Sequence, residues 1–188
     1  MGNHVLVSGL SFGRTVIGIA TRPYETYRRI VSRGTMWELA YVGVLVSLYC
    51  YISRIRVAPV VLTYLVTVGL FWWIGLFAGA KCRLTGFLIA WGYTLVPTLV
   101  WFSTTSLLYV LIPPPRSTRP EGFLFSILYL LFSATLLFWK VILSYLALRF
   151  GLRLDLGKIS LVSLIVLPIL FLYSIALYRM GIFRIPFL

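Results

Sequence analysis

Acidic residues are nearly missing from this chain. Glu25, Glu38, Glu121 and Asp155 are its whole complement among 188 residues, against 17 Lys and Arg. Histidine is scarcer still, with His4 alone, and cysteine is limited to Cys50 and Cys82. No CxxC spacing and no Cys/His cluster exists, so no metal-ligand set is on offer. Proteolysis inside a membrane needs Ser/His pairs, paired Asp or an HExxH helix. No His or Asp falls inside an apolar run here. The reading is a chain with no catalytic, cofactor or metal site.

Charge is also missing over long stretches. Leu84 to Ile112 holds no charged residue, and Pro97 lies near its middle. About 20 apolar residues at ~1.5 Å each cross the ~30 Å of a bilayer core. Hydrophobic residues make up 61% of the chain and its mean hydropathy is +0.99. A soluble domain is nearer ~45–50% apolar. The net charge of +13 would suggest nucleic acid in a soluble protein. These basic residues lie between apolar runs, where membrane topology places them, and nucleic acid is not a partner.

The sequence predicts an all-α fold, a membrane bundle of five transmembrane helices preceded by a short amphipathic interfacial helix. The spans are about 36–52, 57–80, 84–112, 123–148 and 159–178. Residues 1–20 read as a mixed segment broken by Gly9, Gly13 and Arg14, with His4 in a frayed end. It is too interrupted for a signal-peptide core, and Leu6 stands where myristoylation needs Ser or Thr. Residues 21–34 form the amphipathic helix. Pro23 sits in its first turn, Tyr24, Tyr27, Ile30 and Val31 share a face, and Gly34 ends it. Arg22, Arg28, Arg29 and Arg33 are its membrane-surface residues, each worth ~1 kcal/mol on anionic lipid. Alternatively, they only anchor the topology.

Within the bundle, Gly75 and Gly79 make a GxxxG pattern that admits a close helix neighbour. Pro97 bends the third span, with Thr94 and Thr98 near the carbonyl that it frees. Ser103 to Ser106 follow as a polar patch that bridges helices or lines a path. PPPRSTRPEG, 113–122, is a loop, RFGLRLDLGK, 149–158, a turn, and 181–188 a tail. Lys140 is the one cation inside a span and is paired in this reading with Glu38, at the start of the first span. Cys50 and Cys82 fall at opposite membrane faces, too far apart to bond.

Five spans separate the termini. Ten basic residues lie in segments on the N-terminal side and six on the other. The positive-inside rule therefore puts the N-terminus in the cytoplasm and the C-terminus across the membrane.

RPYETYRRIV (22–31), FWWIGLFAGA (71–80), GFLIAWGYTLVPTLV (86–100) and LFWKVILSYLALRFGL (137–152) occur in that order, and a final apolar span follows. Over roughly residues 20–180 this resembles the Ypt-interacting-protein (Yip) domain family, most of all in GYTLVP, with Trp139 in support. The resemblance implies a five-span helical domain with a cytoplasmic N-terminus. Eukaryotic members are linked to vesicle traffic and prenylated small GTPases, and carry a longer N-terminal region. With about 35 residues before its first span, this chain suits prokaryotic members, and that region is short here for a small GTPase partner.

Two functions follow. One is a non-enzymatic membrane scaffold or accessory subunit, homo-oligomeric or bound to another membrane subunit, that also engages the lipid bilayer. The other is a small transporter, channel or lipid scramblase with a path near Lys140 and the kinked third span.

Overall fold

Helix formation follows from the apolar runs: in lipid, a backbone can satisfy its own hydrogen bonds only within a helix or a closed barrel. The computed structural model describes residues 2–54, 56–81, 83–111 and 120–182. The helices are α1 (Gly2–Thr21), α2 (Pro23–Arg33), α3 (Met36–Ile52), α4 (Val57–Phe77), α5 (Leu84–Gly92), α6 (Leu95–Leu111), α7 (Pro120–Leu146) and α8 (Leu156–Arg179). A π-helical turn, Ala147–Gly151, extends α7. Cys82, most of the proline loop (112–119) and the end of the tail (183–188) lie outside the described residues.

Among the described residues four segments are long and apolar enough to cross a membrane: Val57–Phe77, Leu84–Leu111, Gly122–Gly151 and Leu156–Arg179. A fifth is counted only if α2 and α3 are joined across their 116° bend. Alone, α3 has 17 residues, or ~25 Å.

The short helix α5 holds the bundle together. It packs against α2, α3, α4, α6 and the π turn. Ile89, Ala90 and Tyr93 enter a core with Ile19, Tyr27, Ile30, Val42, Leu143 and Ala147. Phe87 enters a second core with Val68, Phe71, Leu148, Leu152, Val162 and Val166. Trp91 touches both. A Cβ on Gly151 would stand 2.7 Å from Phe87 Cδ2. The π turn can therefore approach α5 only because residue 151 is glycine.

Several expectations are corrected. Residues 1–20 are not a broken segment; α1 is a continuous helix of 20 residues packed on α2 and α3. Tertiary packing overrides the glycine penalty there. The third span keeps to one crossing-length segment, Leu84–Leu111, but a turn at Tyr93 and Thr94 interrupts its helix and divides it into α5 and α6. The second span ends at Phe77, not residue 80. Gly79 takes φ +87, its N–H donates to Leu76 O at 3.0 Å, and Ala80 N–H donates to Gly75 O at 2.9 Å. These two bonds are a Schellman cap. The GxxxG pattern is thus a helix stop and not a two-glycine packing face. Gly75 still gives a close approach, since its Cβ would lie 3.0 Å from Leu152 Cδ1. Gly34 is extended (φ −61, ψ 140), not left-handed, and leads into the bend before α3.

Candidate functional site

Among the described residues the buried acid is Glu38, in the first turn of α3, with 6% of its surface exposed. Its Oε2 accepts from the Tyr93 hydroxyl at 2.8 Å, and its Oε1 accepts from Ser11 Oγ at 3.2 Å. The positive end of the α3 dipole further favours a carboxylate at this position. Phe12 stacks on Tyr41 and Tyr93, with centroids 5.6 and 6.0 Å away, so α1 covers the carboxylate. Buried Thr15 donates to Ser11 O at 2.8 Å. The neighbouring Tyr27 hydroxyl is buried with no partner among the described residues, and burial raises its pKa above the ordinary phenol value.

The predicted Glu38–Lys140 ion pair does not form. Both carboxylate oxygens are engaged by Ser11 and Tyr93, and the ion pair found among the described residues is Arg22–Glu25 at 3.9 Å. The helix contacts explain the separation. α3 packs on α1, α5 and α6, whereas α7 packs chiefly on α6, α2 and its own π turn. Lys140 is half-buried on α7.

α2 presents two faces. Thr26, Tyr27 and Ile30 are buried against the protein, while Arg22, Arg28, Arg29 and Arg33 are exposed. Tyr24, expected on one face with Tyr27 and Ile30, is exposed where they are buried, and meets the Phe150 ring edge-on at 4.8 Å. The apolar side of α2 is therefore spent on α5 and α1. Only its basic side and its ends are open.

Beside α2 lies a cavity of about 980 Å³ lined by Val31, Ser32, Met36, Lys81, Arg83, Thr85, Ile89 and Arg153, among others. No acid lines it among the described residues. A second cleft, of about 430 Å³, lies between α1 and α2 and is lined by Arg14, Arg22, Arg29 and Glu25. Arg153 stands at φ 56, a left-handed conformation that costs a non-glycine residue ~1–2 kcal/mol. It is held there between the buried side chains of Leu152 and Leu154.

The polar groups of the third span are mostly engaged. Thr94 Oγ1 donates to Trp91 O at 2.7 Å, and the Tyr93 carbonyl freed by Pro97 accepts from Val96 N–H at 3.2 Å. Thr98, expected to help there, has a hydroxyl with no partner among the described residues. Thr105 meets Tyr129 at 2.9 Å and Ser106 meets Tyr49 at 3.3 Å, so the patch bridges α6 to α7 and α3. Neither cavity is lined by Thr94, Thr98, Ser103 or Lys140.

The reading of the sequence missed Ser11, Tyr93 as a partner of Glu38, and the gathering of Lys81, Arg83 and Arg153. A lone acid beside an apolar run signals a buried hydrogen-bonded group, but its partners come from helices far apart in sequence.

A family model described as Yip1 domain matches residues 17–178. No curated protein matches, and no solved structure matches.

Proposed function

The chain belongs to the Yip1 domain family, and from that premise we propose a non-enzymatic integral membrane protein that acts as a scaffold or accessory subunit. The observation that carries this reading is α2. It is anchored through Tyr27 and Ile30 and turns Arg22, Arg28, Arg29 and Arg33 outward as a rigid basic edge. In this reading the edge faces the cytoplasm, α3 is the first of five spans, and α2 lies along the membrane surface. Its partners are anionic lipid and a membrane subunit, a second copy or another chain, with an acidic face. Clustered arginines give such contacts specificity and a strong dependence on salt.

The test is purification in mild detergent from native membranes, beside reconstitution into vesicles. A stoichiometric subunit, lost when Arg28 and Arg29 are both changed to Glu, is the expected result. A lone chain that passes ions or lipid across vesicles overturns the reading.

A further inference from the structure

The cavity lined by Lys81, Arg83 and Arg153 is a second basic feature, separate from the outward edge of α2. We infer that it binds the phosphate of an anionic lipid headgroup. The inference depends on membrane insertion and not on what α2 holds.

Three cations from two separate chain segments converge here. Lys81 and Arg83 come from the turn between α4 and α5, and Arg153 from the link between the π turn and α8. No acid among the described residues neutralises them within the lining, in contrast to the α1–α2 cleft, which contains Glu25. Three like charges around one space repel one another, and an anion placed between them removes that cost. Arg83 and Lys81 supply flexible donors, and Thr85 adds a hydroxyl. Arg153 is different, because its backbone is fixed in the left-handed region by two buried leucines. The N-termini of α3 and α5 also open on this space, and neither has a side-chain cap bond. Their first-turn N–H groups add donors without adding mobile charge.

The rest of the lining selects a lipid over a soluble phosphate. Val31, Met36 and Ile89 add apolar side chains to the same lining. The ends of four helices meet at this level: α3 begins at Met36, α4 ends at Phe77, α5 begins at Leu84 and α8 begins at Leu156. The cavity therefore sits where membrane-crossing segments emerge. A headgroup phosphate reaches the cations there while its acyl chains stay beside exposed Met36, Trp37 and Leu156.

Native mass spectrometry of the full chain in detergent tests this with three probes: phosphatidylglycerol, phosphatidylcholine and inorganic phosphate. The expected result is a one-to-one adduct with phosphatidylglycerol, held at least about tenfold more tightly than phosphatidylcholine and not displaced by inorganic phosphate. Arg153→Gly should lose the adduct while keeping or raising the melting temperature, because glycine relieves the left-handed backbone. Arg83→Gln combined with Lys81→Gln should lose it too. Arg56→Gln combined with Arg179→Gln removes as much charge from exposed positions outside the cavity and outside the α2 edge, and should leave it intact. Equal retention of the two lipids, binding of inorganic phosphate without lipid, or equal loss in the Arg56/Arg179 variant overturns the inference.

Discussion

The hydroxyl of Tyr93 reaches 2.8 Å to Oε2 of Glu38, joining the break between α5 and α6 to the first turn of α3. Among the described residues the carboxylate has no ion-pair partner, so it relies on two neutral donors and the helix dipole. Tyr93→Phe removes one donor and leaves a buried oxygen unpaired, at a cost of ~1–3 kcal/mol. The melting temperature in detergent should fall accordingly. The same substitution made in a Glu38→Leu background should cost much less, because no acceptor is then stranded. Equal losses in both backgrounds would show that the hydrogen bond contributes little.

Lys140 gives the complementary test. Glu38 is occupied by Ser11 and Tyr93, and α7 does not carry Lys140 to it. A double-mutant cycle with Glu38→Gln and Lys140→Met should therefore be additive to within ~0.5 kcal/mol, as for independent sites. The cycle between Glu38→Gln and Tyr93→Phe should depart from additivity by more than that. Thermal or denaturant unfolding reads both. A coupling above ~1 kcal/mol in the lysine cycle restores the ion pair that the sequence suggests.

These two residues mark where the sequence is legible. Long charge-free runs announce their helices because lipid permits no other backbone there, and four of the expected spans, 57–80, 84–112, 123–148 and 159–178, lie on crossing segments with shifted ends. α1 was hidden because its glycines and Arg14 weaken the local signal, and its packing on α2 and α3 comes from distant residues. GxxxG misled for a related reason. The same spacing serves a packing face or a helix stop, and only the turn after Phe77 decides between them. Charge alone points to Lys140 as the partner of Glu38, whereas helix neighbours decide it in the fold.

Glycine substitutions should separate close approach from mere presence in a helix. Gly151→Ala places a methyl 2.7 Å from Phe87 Cδ2, in a region where α5 and the π turn are both packed. Such overpacking costs ~1–3 kcal/mol. Gly43→Ala meets nothing within 4 Å and lies inside α3, so it should be neutral or slightly stabilising. Gly79→Ala should also destabilise, through its φ of +87 and not through crowding. Melting temperatures of the three variants in one detergent check the order.

The last prediction concerns α3. Its 17 residues reach only ~25 Å, short of a ~30 Å hydrocarbon core. Yet Val44, Leu45, Leu48, Tyr51 and Ile52 are all exposed on the protein surface, up to 82% for Tyr51. Water around that face would cost ~25 cal/mol for each Å² of apolar surface left wet, so lipid is the medium that suits it. Local thinning of the bilayer, with Arg54 and Arg56 reaching to the interface, accommodates the mismatch at a small cost per ångström. A crossing α3 brings the number of spans to five and puts α2 and the end of α8 on opposite faces. Single cysteines at Arg29 and Gly181, with Cys50 and Cys82 replaced by Ser, should therefore react oppositely with an impermeant maleimide on sealed, right-side-out vesicles: Arg29→Cys protected, Gly181→Cys labelled. Labelling of both from one side would leave four crossings, with α3 lying along the surface and its apolar face only half immersed.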